Sequence, residues 1–133
     1  MARQLFKGSR GETEAWTVRL FRRREETDLQ KLLAPISASQ ISIHNVTFEP
    51  GCQNNWHIHH AKSGGGQILI CVGGRGWYQE WGKEPVAKKP GDCVNIPVGV
   101  KHWHGAAEDS WFSHLAIEVP GEETSTEWLE ASK

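Results

Sequence analysis

From residue 39 onward, apolar and polar residues alternate in short bursts separated by glycine and proline, the period-two pattern of half-buried strands. Gln40 to Phe48 carries Ile41, Ile43, Val46 and Phe48 and is closed by Pro50-Gly51. Asn55 to His60 follows, then the nearly continuous apolar run from Gln67 to Val72. Trp77 to Trp81, a short edge piece at Val86-Ala87, Cys93 to Ile96, Lys101 to Gly105 and Trp111 to Val119 complete the series. The breaks fall at Gly64-Gly65-Gly66, Gly73-Gly74-Arg75-Gly76, Pro90-Gly91 and Pro97-Val98-Gly99. About eight to ten strands at this spacing predict an all-β sandwich or barrel.

The flanks read differently. Residues 1–13 are polar and form an arm, and Ala15 to Phe21 alternates well enough for a first strand. Arg22 to Asp28 is charged on nearly every residue and reads as a solvated turn, and Pro35 keeps the next segment from growing into a helix. Glu122 to Lys133 is expected to be helical, with Trp128 and Leu129 docking it. The chain of 133 residues therefore reads as one domain. Its expected parts are an arm and first strand over 1–38, a core barrel over about 39–119 and a C-terminal helical segment over 120–133.

Composition narrows the partners. Fifteen basic against sixteen acidic residues give no electrostatic case for nucleic acid or a membrane surface. No apolar run approaches the roughly 20 residues of a membrane span, and the N-terminal MARQLFKGSRGE has no apolar signal core. Cys52, Cys71 and Cys93 are odd in number and lack CxxC spacing, so they read as reduced thiols in a soluble cytoplasmic protein. Cys71, inside an apolar strand, reads as a small core residue.

The candidate chemistry lies in the histidines. In a strand, positions i and i+2 share a face, so His57 and His59 aim their imidazoles at one point, and a metal ion is the usual occupant. The same parity puts His104 with His102, His114 with Phe112, Ala116 and Glu118, and His44 with Val46 and Phe48. If these faces line the barrel interior, His44, His104, His114 and Glu118 are candidates for catalytic or supporting positions, since an apolar barrel has no structural need for them. His60 has the opposite parity and should face outward. Trp56, Ile58 and Trp103 also have outward parity. Either two barrels pack through them as a homodimer, or they lie beneath the C-terminal segment with Trp128.

The segment from Gly51 runs through five residues to His57, then His59, Gln67 and Gly74. The segment from Gly91 runs through five residues to Pro97-Val98-Gly99 and on to His102. Together, in this order, they resemble the two sequence motifs of the cupin superfamily, and the resemblance covers roughly Val46 to Ile117. It implies a cupin-type jelly-roll β-barrel and one divalent metal held by His57, His59, Gln67 and His102. Two departures are visible. Gln67 stands where the family usually has a carboxylate, after a longer loop through Lys62-Ser63-Gly64-Gly65-Gly66, and Ala106 replaces an asparagine that often follows the second-motif histidine. The stretches TFEPG, WHIH, GDCVNIPVGVKHWHGAA and SHLAIE look similar to a bacterial group of small cupins. That group includes manganese-dependent hydroxynitrile lyases and cupins associated with carboxymuconolactone decarboxylase-like proteins.

Three imidazoles and an amide oxygen are all neutral, so the ion would keep its full charge and act as a strong Lewis acid. Manganese is the ion the resemblance points to, and Fe, Ni, Zn and Co also suit this donor set. The leading expectation is an enzyme acting on a small molecule, with His104 or His114 moving a proton and hydroxynitrile cleavage as one concrete version. The alternatives are a dioxygenase of the quercetinase kind, or a metal-bound sensor or binding module without turnover.

Overall fold

The computed structural model describes residues 16–21 and 41–133, and the expectations for 1–15 and 22–40 lie outside the described residues. The described part is built from strands, turns and loops. β1 (Trp16–Phe21) runs parallel to β2 (Ser42–Phe48), with Trp16 opposite Ile43 and Phe21 opposite Phe48. β3 (His57–His60), β4 (Ser63–Gly64) and β5 (Gln67–Gly74) follow, then β6 (Gly76–Glu80), β7 (Val86–Lys88) and β8 (Cys93–Ile96). The chain continues through β9 (His102–Ala106), β10 (Phe112–Glu118), β11 (Gly121–Glu122) and β12 (Ser125–Trp128).

The strands form two five-stranded sheets, ordered β1-β2-β10-β5-β8 and β12-β3-β9-β6-β7, with a small ribbon of β4 and β11 between segments. This is the all-β architecture expected from the turn spacing. The inner face is legible in the burial alternation. Gln67, Leu69 and Cys71 of β5 are buried while Ile68 and Ile70 are only partly covered and Val72 is exposed. Val46, Phe48, Leu69, Tyr78, Ile96, Phe112 and Ala116 form the apolar core, and Cys71 sits within it as expected. Between Ser113 and His114 the pairing of β10 with β5 slips, from Ser113–Gly73 to His114–Cys71, so Val72 has no residue opposite. Such a bulge bends the strand and re-aims neighbouring side chains.

The expected C-terminal helix is not formed. Glu122 closes the ribbon β11 against β4, and Ser125–Trp128 adds to the open edge of β3 as an antiparallel strand, pairing Thr126 with His59 and Trp128 with His57. An isolated helix of about 12 residues is marginal in water, whereas this strand satisfies the backbone groups that the edge of β3 would otherwise leave bare. Alternation along Ser125-Thr126-Glu127-Trp128 agrees with it, since Thr126 and Trp128 are partly covered and their neighbours exposed.

The outward-parity tryptophans also differ from a bare patch. Trp56 and Trp103 are buried within this chain. The Trp56 ring meets Trp81 edge-on at 5.0 Å, with the Lys101 ammonium 3.6 Å from the Trp81 ring centre. Its backbone is clasped by the tail through Trp56 N–H to Glu130 O at 3.0 Å and Leu129 N–H to Trp56 O at 2.8 Å. The Trp103 indole N–H donates to Gln79 Oε1 at 2.7 Å. The expectation of a homodimer through Trp56 and Trp103 loses this support. His60 faces outward as expected and pairs with Glu127 at 2.7 Å.

Gly74, at the end of β5, holds a φ of 67°, and a Cβ there would lie 1.7 Å from the Trp111 carbonyl oxygen. Gly82 has a similar φ of 79° with nothing within 4 Å. Gly82→Ala therefore carries only the left-handed strain, about 1–2 kcal/mol. Gly74→Ala adds a collision with backbone and is expected to cost about 2 kcal/mol more. Urea midpoints of the two variants check this, and equal midpoints would show that the Trp111 segment yields freely.

Candidate metal centre

Each site residue is placed by strand parity. β3 carries His57 and His59 inward, β9 carries His102 and His104, β10 carries His114 and Glu118, and β5 begins with Gln67. The crossing of β3 and β9 is a single Cα pair, His57 opposite His102, which sets their rings 4.1 Å apart. His59 lies 5.3 Å from His57 and 5.2 Å from His102, ring centre to ring centre. His104 lies 5.4 Å from His57, and His114 lies 4.7 Å from His104. All five rings are buried. His44 is buried on β2 opposite Ala116, two positions before the Val46–His114 pair.

The glycine loop brings Gln67 to this cluster. Gly66 has a φ of 96°, and a Cβ on it would lie 2.7 Å from Ile96 O, so only glycine fits this close approach. Gln67 then starts β5 with 2 % of its surface exposed, paired with Ile96 on one side and Glu118 on the other. Its amide lies close enough to His59 to favour the protonated ring, without reaching hydrogen-bond geometry.

Hydrogen bonds fix which ring nitrogen carries the proton. His57 Nδ1 lies 2.9 Å from Asn55 O, and His102 Nδ1 lies 2.9 Å from Val100 O. A carbonyl only accepts, so both Nδ1 atoms donate and both Nε2 atoms keep a lone pair. His59 Nδ1 lies 3.2 Å from Thr126 Oγ1, which can accept from it and leave Nε2 as a lone pair too. The Nε2 atoms of His59 and His102 and the Oε1 of Gln67 are buried without a hydrogen-bond partner. Each such orphan costs about 1–3 kcal/mol, and a bound cation is one occupant that would relieve all three. Three histidines, His57, His102 and His104, have ligand-capable atoms within 4.8 Å of one another and are positioned to bind a metal ion.

His104 is engaged differently. Its Nδ1 lies 3.0 Å from His114 Nε2, its Nε2 lies 3.2 Å from Asn54 Nδ2, and its backbone N–H donates to Asn54 Oδ1 at 3.0 Å. Asn54, Thr126 and Trp128 were not singled out in the sequence as site residues. Trp128 lies over His57 at 4.7 Å between ring centres. Asn54 has no distinguishing pattern, and the Thr126–Trp128 alternation was masked by the helix-forming glutamates around it.

Burial is the main electrostatic force here. It lowers His59 and His102 to about 4 and His114 to about 3. Burial, followed by neighbouring imidazoles, holds His57 and His104 well below the ordinary value as well. All five rings are thus neutral near pH 7 and present lone pairs rather than charge. Burial raises Glu118, opposed by its hydrogen bond from Gln67.

These shifts set the acid stability of the chelated protein. The folded values of His59, His102 and His114 lie below the unfolded 6.5, so the unfolded chain binds more protons in acid. Their contribution is fully present above about pH 6.5 and is lost as pH falls through that value toward about 4 for His59 and His102 and about 3 for His114. Urea midpoints in chelator should fall steadily across that window, and a flat profile would contradict the burial. Thr126→Val removes the acceptor from His59 Nδ1 and is expected to weaken metal binding about tenfold, read by competition against a chromophoric chelator. Unchanged affinity would show that Thr126 does not orient the ring.

The arrangement has known relatives. Residues 44–118 match the family model described as a Cupin domain. An (R)-mandelonitrile lyase of Granulicella tundricola is 42% identical over 86 residues, which are 65% of this chain and 63% of the lyase. The match thus spans less than two thirds of that relative's length. A cupin-like protein of Thermotoga maritima has a solved structure that is 42% identical, with a TM-score of 0.61 over 70% of this chain and 67% of that one. A DMSP lyase of Ruegeria pomeroyi, 22% identical, shares the fold with a TM-score of 0.58 over 70% of this chain and 45% of its own. The family model covers more than half of the chain, and the strands it spans carry the inward histidines described above; the chain belongs to the cupin family.

Proposed function

We propose that this chain is a metal-dependent enzyme for small molecules, with His57, His59, Gln67 and His102 holding one divalent ion and the His104–His114 pair moving a proton. One observation carries this reading. Each proposed ligand has its outer end tied to the protein, at Asn55 O, Thr126 Oγ1, Glu118 Oε1 and Val100 O, while its inner donor atom keeps a lone pair. His104 breaks that pattern, because both of its ring nitrogens have protein partners. Its contact with His114 also gives it a path for a proton that the other three histidines lack.

When bound, a divalent ion among neutral donors supplies Lewis acidity toward a substrate oxygen. The remaining work falls to residues of the chain. The His104–His114 contact offers a route by which a proton taken at His104 is shared with the second ring, and burial keeps both rings neutral before the proton arrives. Asn54 holds the His104 backbone and ring in place.

The similarity to a mandelonitrile lyase makes cyanohydrin cleavage the concrete form of this proposal. His104 takes the hydroxyl proton, the C–O bond becomes a carbonyl, and cyanide leaves with the electrons of the C–C bond. The products are an aldehyde and, once cyanide is protonated, hydrogen cyanide. Manganese-loaded protein should release cyanide from mandelonitrile well above the chelated protein, and His104→Ala and His114→Ala should each lower the rate about 10²–10⁴-fold while retaining the metal. Equal rates with and without metal would sink the proposal.

A further inference from the structure

Gln67 can face the histidines with either end of its amide, and only the oxygen can serve as a ligand. Its Nε2 donates to Glu118 Oε1 at 2.6 Å, and its Oε1 is buried toward the cluster without a partner. The two residues are opposite each other in the β5–β10 pairing, and Val119 N–H to Gly66 O at 3.0 Å fastens the strand ends beside them. We propose that Glu118 is the positioning residue that makes Gln67 an oxygen ligand, and that it places the site's negative charge one side chain away from the ion. This rests on the metal-dependent reading above.

The chemistry is asymmetric. Glu118 Oε1 accepts from the Gln67 NH₂ group, and a carboxylate, which has only acceptors, requires that end of the amide. With the amide reversed, two acceptors would meet at Glu118 and N–H donors would point at the site of a cation. Glutamine alone has no such preference, and histidine lone pairs on the inner side would favour the wrong end through N–H donation. Glu118 overrides that preference with a charge-assisted bond. In consequence a carboxylate accompanies the ion without bonding to it. It offsets part of the charge over distance and leaves the donor set itself neutral.

Two readouts test this. In metal-free protein, the Gln67 side-chain amide should give a slowly exchanging NMR signal, identified by its loss in Gln67→Glu. In Glu118→Leu that signal should move and exchange rapidly. In metal binding by chelator competition, Glu118→Leu should lower manganese affinity about 10–100-fold. Glu118→Gln, whose amide can either accept or donate and so permits both orientations of Gln67, should fall between. Gln67→Glu with Glu118→Gln, which moves the carboxylate into the ligand position, should restore affinity. Folded Glu118→Leu that binds manganese as tightly as the parent would overturn the positioning role and leave the metal reading intact. A parent protein that binds no divalent metal would overturn both. Should Glu118→Leu fail to fold, the Glu118→Gln and exchange variants decide it, and equal affinity in parent and Glu118→Gln counts against the inference.

Discussion

The structure depends on keeping neutral imidazoles dry. Six histidines are buried, and burial holds five of them, His57, His59, His102, His104 and His114, below their ordinary protonation range. Such a cluster costs stability unless its polar atoms find partners. The fold answers on the outer side of the rings with fixed carbonyls and a hydroxyl, and leaves the inner side open. The outer partners explain the tautomers. The open inner atoms explain why the interior suits an ion rather than more apolar packing.

That arrangement requires several distant segments to meet. His57 and His102 share a single Cα pair between β3 and β9, Gln67 enters at the opposite sheet, and Thr126 arrives from the last strand. Gly66 makes the entry of Gln67 possible because a side chain there would strike the Ile96 carbonyl. The C-terminal strand covers the edge of β3 and at the same time supplies Thr126 to His59 and Trp128 to His57. Fold stability and ligand geometry are thus linked through the same hydrogen bonds. Loosening the tail would free His59 to turn.

Much of this was legible from local pattern. Period-two alternation placed β2, β5 and β10 and put His57 with His59, His102 with His104, and His114 with Glu118 on inner faces. Those are consequences of strand geometry alone. The failures are of another kind. The segment after Pro120 has good helix formers, and only the unpaired edge of β3 makes it a strand, a fact that no local window contains. Trp56 and Trp103 have outward parity, but whether the outside is solvent depends on where the tail and β6 lie. Asn54 and Thr126 act through contacts across 50 and 67 residues, so nothing near them in the chain marks their roles.

The departure from the familiar ligand pattern at Gln67 also looks different in three dimensions. Replacing a carboxylate by an amide seems to remove a negative charge from the centre. A carboxyl group stands instead on the neighbouring strand at Glu118, which is paired with Gln67 in register and accepts a hydrogen bond from it. A carboxylate bonded to an ion would lower its pull on a substrate oxygen directly, while one held behind an amide acts only through space. Its energy at that greater distance is smaller, and it leaves the ion's coordination to neutral donors. On the proposed ligand set, an amide at this position would trade metal affinity for Lewis acidity, and the orientation of that amide would decide whether the trade works. With Oε1 inward, Gln67 would add a fourth donor to the proposed site. Reversed, it would present N–H groups to a cation, and no arrangement of the histidines could compensate.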